Sequence, residues 1–88
     1  MVTKVSIAQL QALVAIVEQG SFSAAGRQLG IAQSAISRNI NELESRLRSA
    51  VFQREGRAAR LTDEGARVAE LSRDALRQWR VICEEFSE

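Results

Sequence analysis

The stretch SFSAAGRQLGIAQSAISRNI, residues 21–40, decides how this chain folds. It predicts two short helices joined by a tight turn. The first is expected to run from about Ser23 to Leu29 with Ser23 as N-cap, because a serine hydroxyl satisfies a free N–H at a helix start. Gly30 stops it, since glycine takes the left-handed backbone of a helix end at little cost. The second helix starts near Ala32 or Gln33. Ala25 and Gly26 are small enough for the two helices to cross closely, and Ile36 supplies a buried aliphatic beyond the turn. Small residue, turn glycine and aliphatic at these offsets make the packing pattern of a helix-turn-helix.

The faces of the second helix say more. Ile36, Ile40, Leu43 and Leu47 follow at spacings of four, three and four and form one apolar stripe. Gln33, Ser34, Ser37, Arg38 and Asn41 fall on another face, with no carboxylate before Glu42. Amides, hydroxyls and a guanidinium are the groups that read base edges and hold phosphates. An ordinary solvated helix face has the same composition. Its place one tight turn after a small, glycine-stopped helix favours the DNA-reading alternative.

The rest of the chain narrows the function. Its 88 residues make one small domain, with an apolar fraction of 45% that suits a folded protein. No apolar run approaches the ~20 residues that span a membrane, and MVTKVSIAQL lacks the apolar core of a signal peptide. The single Cys83 excludes an internal disulfide and suits a reducing cytoplasm. With no histidine, neither a Ser-His nor a Cys-His pair forms, and no zinc site is expected. Glu42 and Glu44 point in different directions on a helix and read as solvated carboxylates, not an acid/base pair. No cofactor, metal or catalytic residue is expected.

Net charge is only +1, but its distribution is uneven. Five arginines against Glu55 give residues 46–60 a charge of +4, while residues 61–88 carry −3. Local clustering beside the reading helix is what attracts phosphates. All basic residues but Lys4 are arginine, which suits bidentate contacts.

Ser6 and Gln9 form a capping box before the one-sided stripe Leu10, Leu13, Val14 and Val17, and Gly20 ends that scaffold helix. Phe22 reads as core between helices. After the helix ends near Arg48, residues 50–54 suggest a strand and residues 59–61 its return, around a turn at Gly56. Such a hairpin is a wing over residues 50–61. Arg54, Arg57 and Arg60 project from it to grip phosphate or enter the minor groove, though a solvated hairpin has the same composition. Thr62 caps a last helix with Asp63 and Glu64 in its first turn. Along it Val68, Ser72, Ala75, Trp79, Ile82 and Phe86 make a heptad-like seam, flanked by Leu71, Leu76 and Cys83. Cys83 reads as a packing residue of that seam. A small domain does not cover so long a helix, so Val68, Leu71, Ala75, Trp79, Ile82 and Phe86 are expected to pair with the same helix of a second chain.

With these residues in place, the chain resembles the N-terminal DNA-binding domain of LysR-type transcriptional regulators of bacteria. The matching stretches are SFSAAGRQL, IAQSAISRNI, LESRL, VFQR and LTDEG, in that order, covering roughly residues 7–66. The resemblance implies a mainly α, winged helix-turn-helix fold: a three-helix core, a small two-stranded wing and a long C-terminal linker helix. It implies residues 1–61 as the DNA-binding domain, with the helix-turn-helix at 21–40, and residues 62–88 as an antiparallel dimerisation helix. It implies double-stranded DNA as partner, at an interrupted palindrome near promoters, with a homodimer and, in a full-length form, a possible tetramer. By position, Gln33, Ser34, Ser37 and Arg38 resemble groove contacts, Ser23 a backbone contact, and Arg54 and Arg57 wing contacts; Asn41 and Arg60 join them by face and charge.

Four positions depart from the family pattern. Gly26 replaces a usual alanine, Ala32 a usual capping Ser or Thr, Ser34 a frequent proline, and Arg48 a usual glycine after LESRL. The family also carries a large effector-binding domain, so the chain is expected to be an excised domain or a natural short form, with a small-molecule effector only where that domain exists. The competing reading is a protein-interaction module that uses the C-terminal helix without specific DNA readout.

Overall fold

The computed structural model describes residues 4–55 and 58–86, with the side chains of residues 54, 55 and 58 outside that description. Helix α1 (Ile7–Gln19) is followed by α2 (Phe22–Leu29) and α3 (Gln33–Leu47). Strands β1 (Phe52–Glu55) and β2 (Ala58–Leu61) pair antiparallel, and α4 (Asp63–Phe86) closes the chain. The mainly α, winged helix-turn-helix architecture with a long last helix is therefore the one observed.

Helix α1 begins with the expected capping box. The Ser6 hydroxyl accepts from Gln9 N–H at 3.2 Å, and Gln9 Oε1 accepts from Ser6 N–H at 3.1 Å. Leu13 and Val14 are buried, with Leu10 and Val17 at the margin of the core. Leu13, Ile36, Leu43 and Val51 are the largest fully buried side chains, one from α1, two from α3 and one from the link to the wing. Each such side chain contributes ~1.5–3 kcal/mol on burial. Ile16, Ile40 and the alanines Ala12, Ala15, Ala25 and Ala69 complete the core, and the small size of the alanines lets α1, α2 and α4 approach.

Three boundaries differ from the sequence reading. The N-cap of α2 is Ser21, whose hydroxyl accepts from Ala24 N–H at 3.0 Å, and Ser23 lies inside the first turn. This places Phe22 in the helix, half-buried, with its ring tilted at 57° against Phe52 and centroids 5.4 Å apart. Strand β1 starts at Phe52 instead of Ala50, because Val51 N–H is given to Glu44 Oε2, although Val51 O still accepts from Thr62 N–H across the pair. The return strand starts one residue early, at Ala58. The expected turn residues Gly56 and Arg57 lie outside the described residues.

Helix α4 serves its own chain first. Gly65, Ala69, Ser72 and Leu76 form its buried face, and Val68 packs against the core margin. Val68 and Ser72, expected in a seam toward a second chain, are thus already committed here, and Leu76 is buried instead of flanking. The seam beyond them is open: Leu71 is 50%, Ile82 59% and Phe86 79% exposed, and Ala75 and Cys83 are exposed too. Cys83, expected as a packing residue of that seam, is not buried within its own chain. Asp74 pairs with Arg77 at 2.7 Å. No helix among the described residues is long and apolar enough to cross a membrane.

Candidate nucleic-acid interface

The site is built on the turn between α2 and α3. Gly30 takes φ +70°, and Ile31 N–H reaches back to Gly26 O at 2.9 Å while Gly30 N–H bonds Arg27 O at 3.4 Å. These two bonds satisfy the last carbonyls of α2 in the pattern that a left-handed residue permits. Gly26 is where the two helices meet. A Cβ added there lies 2.8 Å from Ile31 O and 3.5 Å from Gln33 N, so the crossing is set by backbone against backbone. An alanine at this position moves the start of α3.

Helix α3 then divides cleanly. Ile36, Ile40 and Leu43 are buried, and Leu47 is at the core margin. Gln33, Ser34, Arg38 and Asn41 are exposed and Ser37 is half-buried. On an ideal helix these five positions fall within an arc of about 140°. The face offers amide, hydroxyl and guanidinium groups and no carboxylate. The structure thus brings the five predicted residues onto one solvent-facing surface. Arg27, at the end of α2, and Arg46 and Arg48, at the end of α3, are also exposed.

The start of α3 carries no side-chain cap: Ala32 sits at the N-cap with extended backbone (φ −66°, ψ 149°) and nothing bonds the free amides from its side chain. Its end carries Arg48 in the left-handed region at φ 55°, the one non-glycine residue with positive φ among those described. Both features were legible as departures in the sequence.

Glu42 is exposed, as its reading as a solvated carboxylate expects, but the same reading of Glu44 does not hold. Glu42 Oε2 accepts from the buried Gln9 Nε2 at 3.4 Å. Glu44 Oε2 accepts from Val51 N–H at 2.8 Å and Phe52 N–H at 3.2 Å, tying the end of α3 to the start of the wing. Thr62 is also more than an N-cap. Its hydroxyl accepts from Gly65 N–H at 2.9 Å and donates to Ala50 O at 2.6 Å. Spacing did not show either role, since both bonds reach across a turn whose path the sequence leaves open.

In the wing, Phe52 pairs with Leu61, Gln53 with Arg60, Arg54 with Ala59 and Glu55 with Ala58. Arg60 is exposed on β2 and stands opposite Gln53, not Arg54. Arg57 lies outside the described residues, as does the side chain of Arg54. Ser23, half-buried in the first turn of α2, is on the element that precedes the reading face. Among the described residues no cluster of three or more His, Cys, Asp or Glu side chains is arranged to hold a metal ion.

A family model described as bacterial regulatory helix-turn-helix protein, lysR family, matches residues 7–66. Among curated proteins, the chain is 40% identical over 80 residues to a probable nitrogen assimilation transcriptional activator of Synechococcus elongatus, covering 91% of this chain and 26% of that protein. It is 45% identical over 82 residues to the probable HTH-type transcriptional regulator LrrA of the same organism, covering 93% and 28%. The chain therefore spans about a quarter of the length of these relatives. Among solved structures, it resembles the BenM_DBD/catB site 1 DNA complex with a TM-score of 0.83 at 30% identity, over 90% of this chain and 85% of that one. It resembles the CbnR_DBD-DNA complex with a TM-score of 0.83 at 28% identity, over 91% and 92%.

Proposed function

The chain belongs to the lysR family of bacterial regulatory helix-turn-helix proteins, and on that premise we propose that it is a transcription-regulating module that binds double-stranded DNA sequence-specifically as a dimer. Helix α3 enters the major groove, where Gln33, Ser34, Ser37, Arg38 and Asn41 meet base edges and phosphates. Ser23 and the wing arginines Arg54, Arg57 and Arg60 hold the backbone or minor groove. Residues 1–61 act as the DNA-binding unit and residues 62–88 as the dimerisation helix, working in the cytoplasm. Leu71, Ala75, Trp79, Ile82 and Phe86 pair with the same helix of a second copy, with Val68 at the edge of that contact. Two reading helices then act at a fixed separation on an interrupted palindrome. A further C-terminal domain, where present, supplies any effector response or tetramer.

The observation that carries this reading is the polar face of α3, free of carboxylates over residues 33–41 and held one tight turn after α2 by the Gly26 crossing. The relatives named as transcriptional regulators and the two neighbours solved with DNA support it. The test is selection of bound sequences from a random duplex pool, followed by titration of the winners across salt. An enriched inverted repeat with steep salt dependence is expected. A pool that stays random overturns the proposal and leaves the second reading, a protein-interaction module. That reading is favoured by one specific observation, the exposure of Ile82 and Phe86.

A further inference from the structure

Glu44 sits in the penultimate turn of α3, in line on an ideal helix with Gln33 and Ser37 of the reading face. It answers four amides of the link to the wing. Its main-chain carbonyl accepts from Arg48 N–H and from Ser49 N–H, the latter at 3.1 Å. Its side-chain Oε2 accepts from both Val51 N–H and Phe52 N–H. The chain makes its left-handed turn at Arg48, the first of these four residues. Val51 is completely buried, and its carbonyl receives Thr62 N–H at 3.0 Å, so the same residue joins the start of the wing to its end. A carboxylate bond to an amide is stronger than a neutral one, and a buried amide left without a partner is costly.

We propose that Glu44 is a positioning residue: it fixes the angle of the wing against α3, so that reading face and wing engage DNA as one rigid body. The inference rests on the DNA-binding reading above. It concerns how contacts are placed, not a contact of Glu44 itself. Its Oε2 is occupied by the protein's own amides.

Both side-chain bonds end on one oxygen, and this makes the test sharp. A glutamine can offer its single carbonyl oxygen to the same two amides, whereas an alanine offers none. The 88-residue chain is titrated with a duplex selected from the random pool, as wild type, Glu44→Gln, Glu44→Ala, Arg60→Ala and Glu44→Ala with Arg60→Ala. Each variant is first shown to be folded by circular dichroism at the assay temperature. Arg60→Ala is expected to weaken binding about threefold to tenfold and to lower the salt slope by about one. Glu44→Ala is expected to weaken it at least as much, and Arg60→Ala then to cost nothing more in that background, because a wing out of place has no contact left to lose. Glu44→Gln keeps wild-type affinity within about twofold.

Equal cost of Arg60→Ala in both backgrounds overturns the proposal. So does Glu44→Gln failing as badly as Glu44→Ala. A second arm needs no DNA. Amide hydrogen exchange in β1 and β2 is expected to rise at least about tenfold in Glu44→Ala, with α1 and the first turns of α3 unchanged and Glu44→Gln like wild type. Unchanged protection of the wing overturns the proposal even if DNA binding is lost. Absence of any DNA binding by the wild-type chain, or of any effect of Arg60→Ala on it, overturns the DNA-binding reading or the wing's part in it. The exchange arm then decides the strut by itself.

Discussion

Replacing Gly65 by alanine tests how tightly α4 is seated. In an open helix this change is stabilising: alanine is better than glycine by up to ~1 kcal/mol. Here the added Cβ collides with the Val51 carbonyl oxygen and lies 2.8 Å from Val51 C and 2.9 Å from its Cα. All three are backbone atoms, so no side chain can rotate away. Either α4 lifts or the link to the wing shifts, at the ~1–3 kcal/mol typical of overpacking or more. The shift also strains Thr62 N–H to Val51 O at 3.0 Å and the Thr62 hydroxyl to Ala50 O at 2.6 Å. Each of these contributes ~0.5–1.5 kcal/mol net. The helix gain offsets only part, leaving Gly65→Ala about 2–3 kcal/mol less stable. For a domain of this size, holding ~0.05–0.15 kcal/mol per residue in all, that is a large fraction. It lowers Tm on the order of 10–20 °C. Urea denaturation followed by circular dichroism reads it as a lower midpoint at unchanged m. Ala66→Gly, on the exposed next residue, isolates the propensity term and is expected to cost only ~0.5–1 kcal/mol. If Gly65→Ala proves neutral or stabilising, α4 does not cross Val51 as described, and the mechanical tie from α4 to the wing fails with it.

Four further substitutions address the two ends of α3 and the proposed contacts. Arg48→Gly removes a non-glycine residue from φ 55° and should raise stability by ~1 kcal/mol in thermal unfolding; a loss would mean the Arg48 side chain contributes more than its backbone costs. Ala32→Ser supplies the missing N-cap of α3 and should add ~0.5–1 kcal/mol, read the same way. Arg38→Ala is expected to lose ~1–3 kcal/mol on the preferred duplex and to relax one base preference when selection is repeated. Arg57→Ala should weaken all sequences evenly and reduce the slope of log affinity against log salt by about one, leaving preference intact.

Periodicity carried the helical part of this structure, because helix faces report burial directly. The spacings in α1 and α3 separated Leu13, Ile36 and Leu43 from the polar positions, and all three are fully buried. The capping box at Ser6 was equally legible, since it is a contact between residues three apart. The errors fall where a partner is distant in sequence. Ser21 and Ser23 are equally good caps on paper; packing Phe22 on Phe52, thirty residues away, places the helix start between them. The strand start at Phe52 and the role of Glu44 are one fact seen twice, because a carboxylate from α3 takes the Val51 amide that a longer ladder would have used. Glu44 was invisible as anything but a solvated charge until the link folded over it. On the candidate site, sequence and structure agree on the exposed face of α3, while the wing is described only in part and its arginines rest on sequence.

Gly65 carries no sequence signal beyond its place in the LTDEG stretch, yet under the proposed dimer it sets how that face relates to a second copy. Its missing Cβ lets α4 lie on Val51, and Val51 is bonded by Glu44 at one side and Thr62 at the other. Helix α4 is thereby tied to α3 through the backbone of Val51. Its buried face runs through Gly65, Ala69, Ser72 and Leu76, and the open positions Leu71, Ala75, Ile82 and Phe86 lie about 100° around the axis. A helix of 24 residues, ~36 Å long, is thus split lengthwise: one face packs mainly on α1 of its own chain, and the other stays exposed. Under the proposed dimer, the distance between two reading helices follows from this rigid path and not from a flexible linker. A substitution that lifts α4 off Val51 should therefore change the preferred spacing of the two half-sites before it changes their sequence, and repeating the duplex selection with Gly65→Ala at low temperature distinguishes the two effects directly.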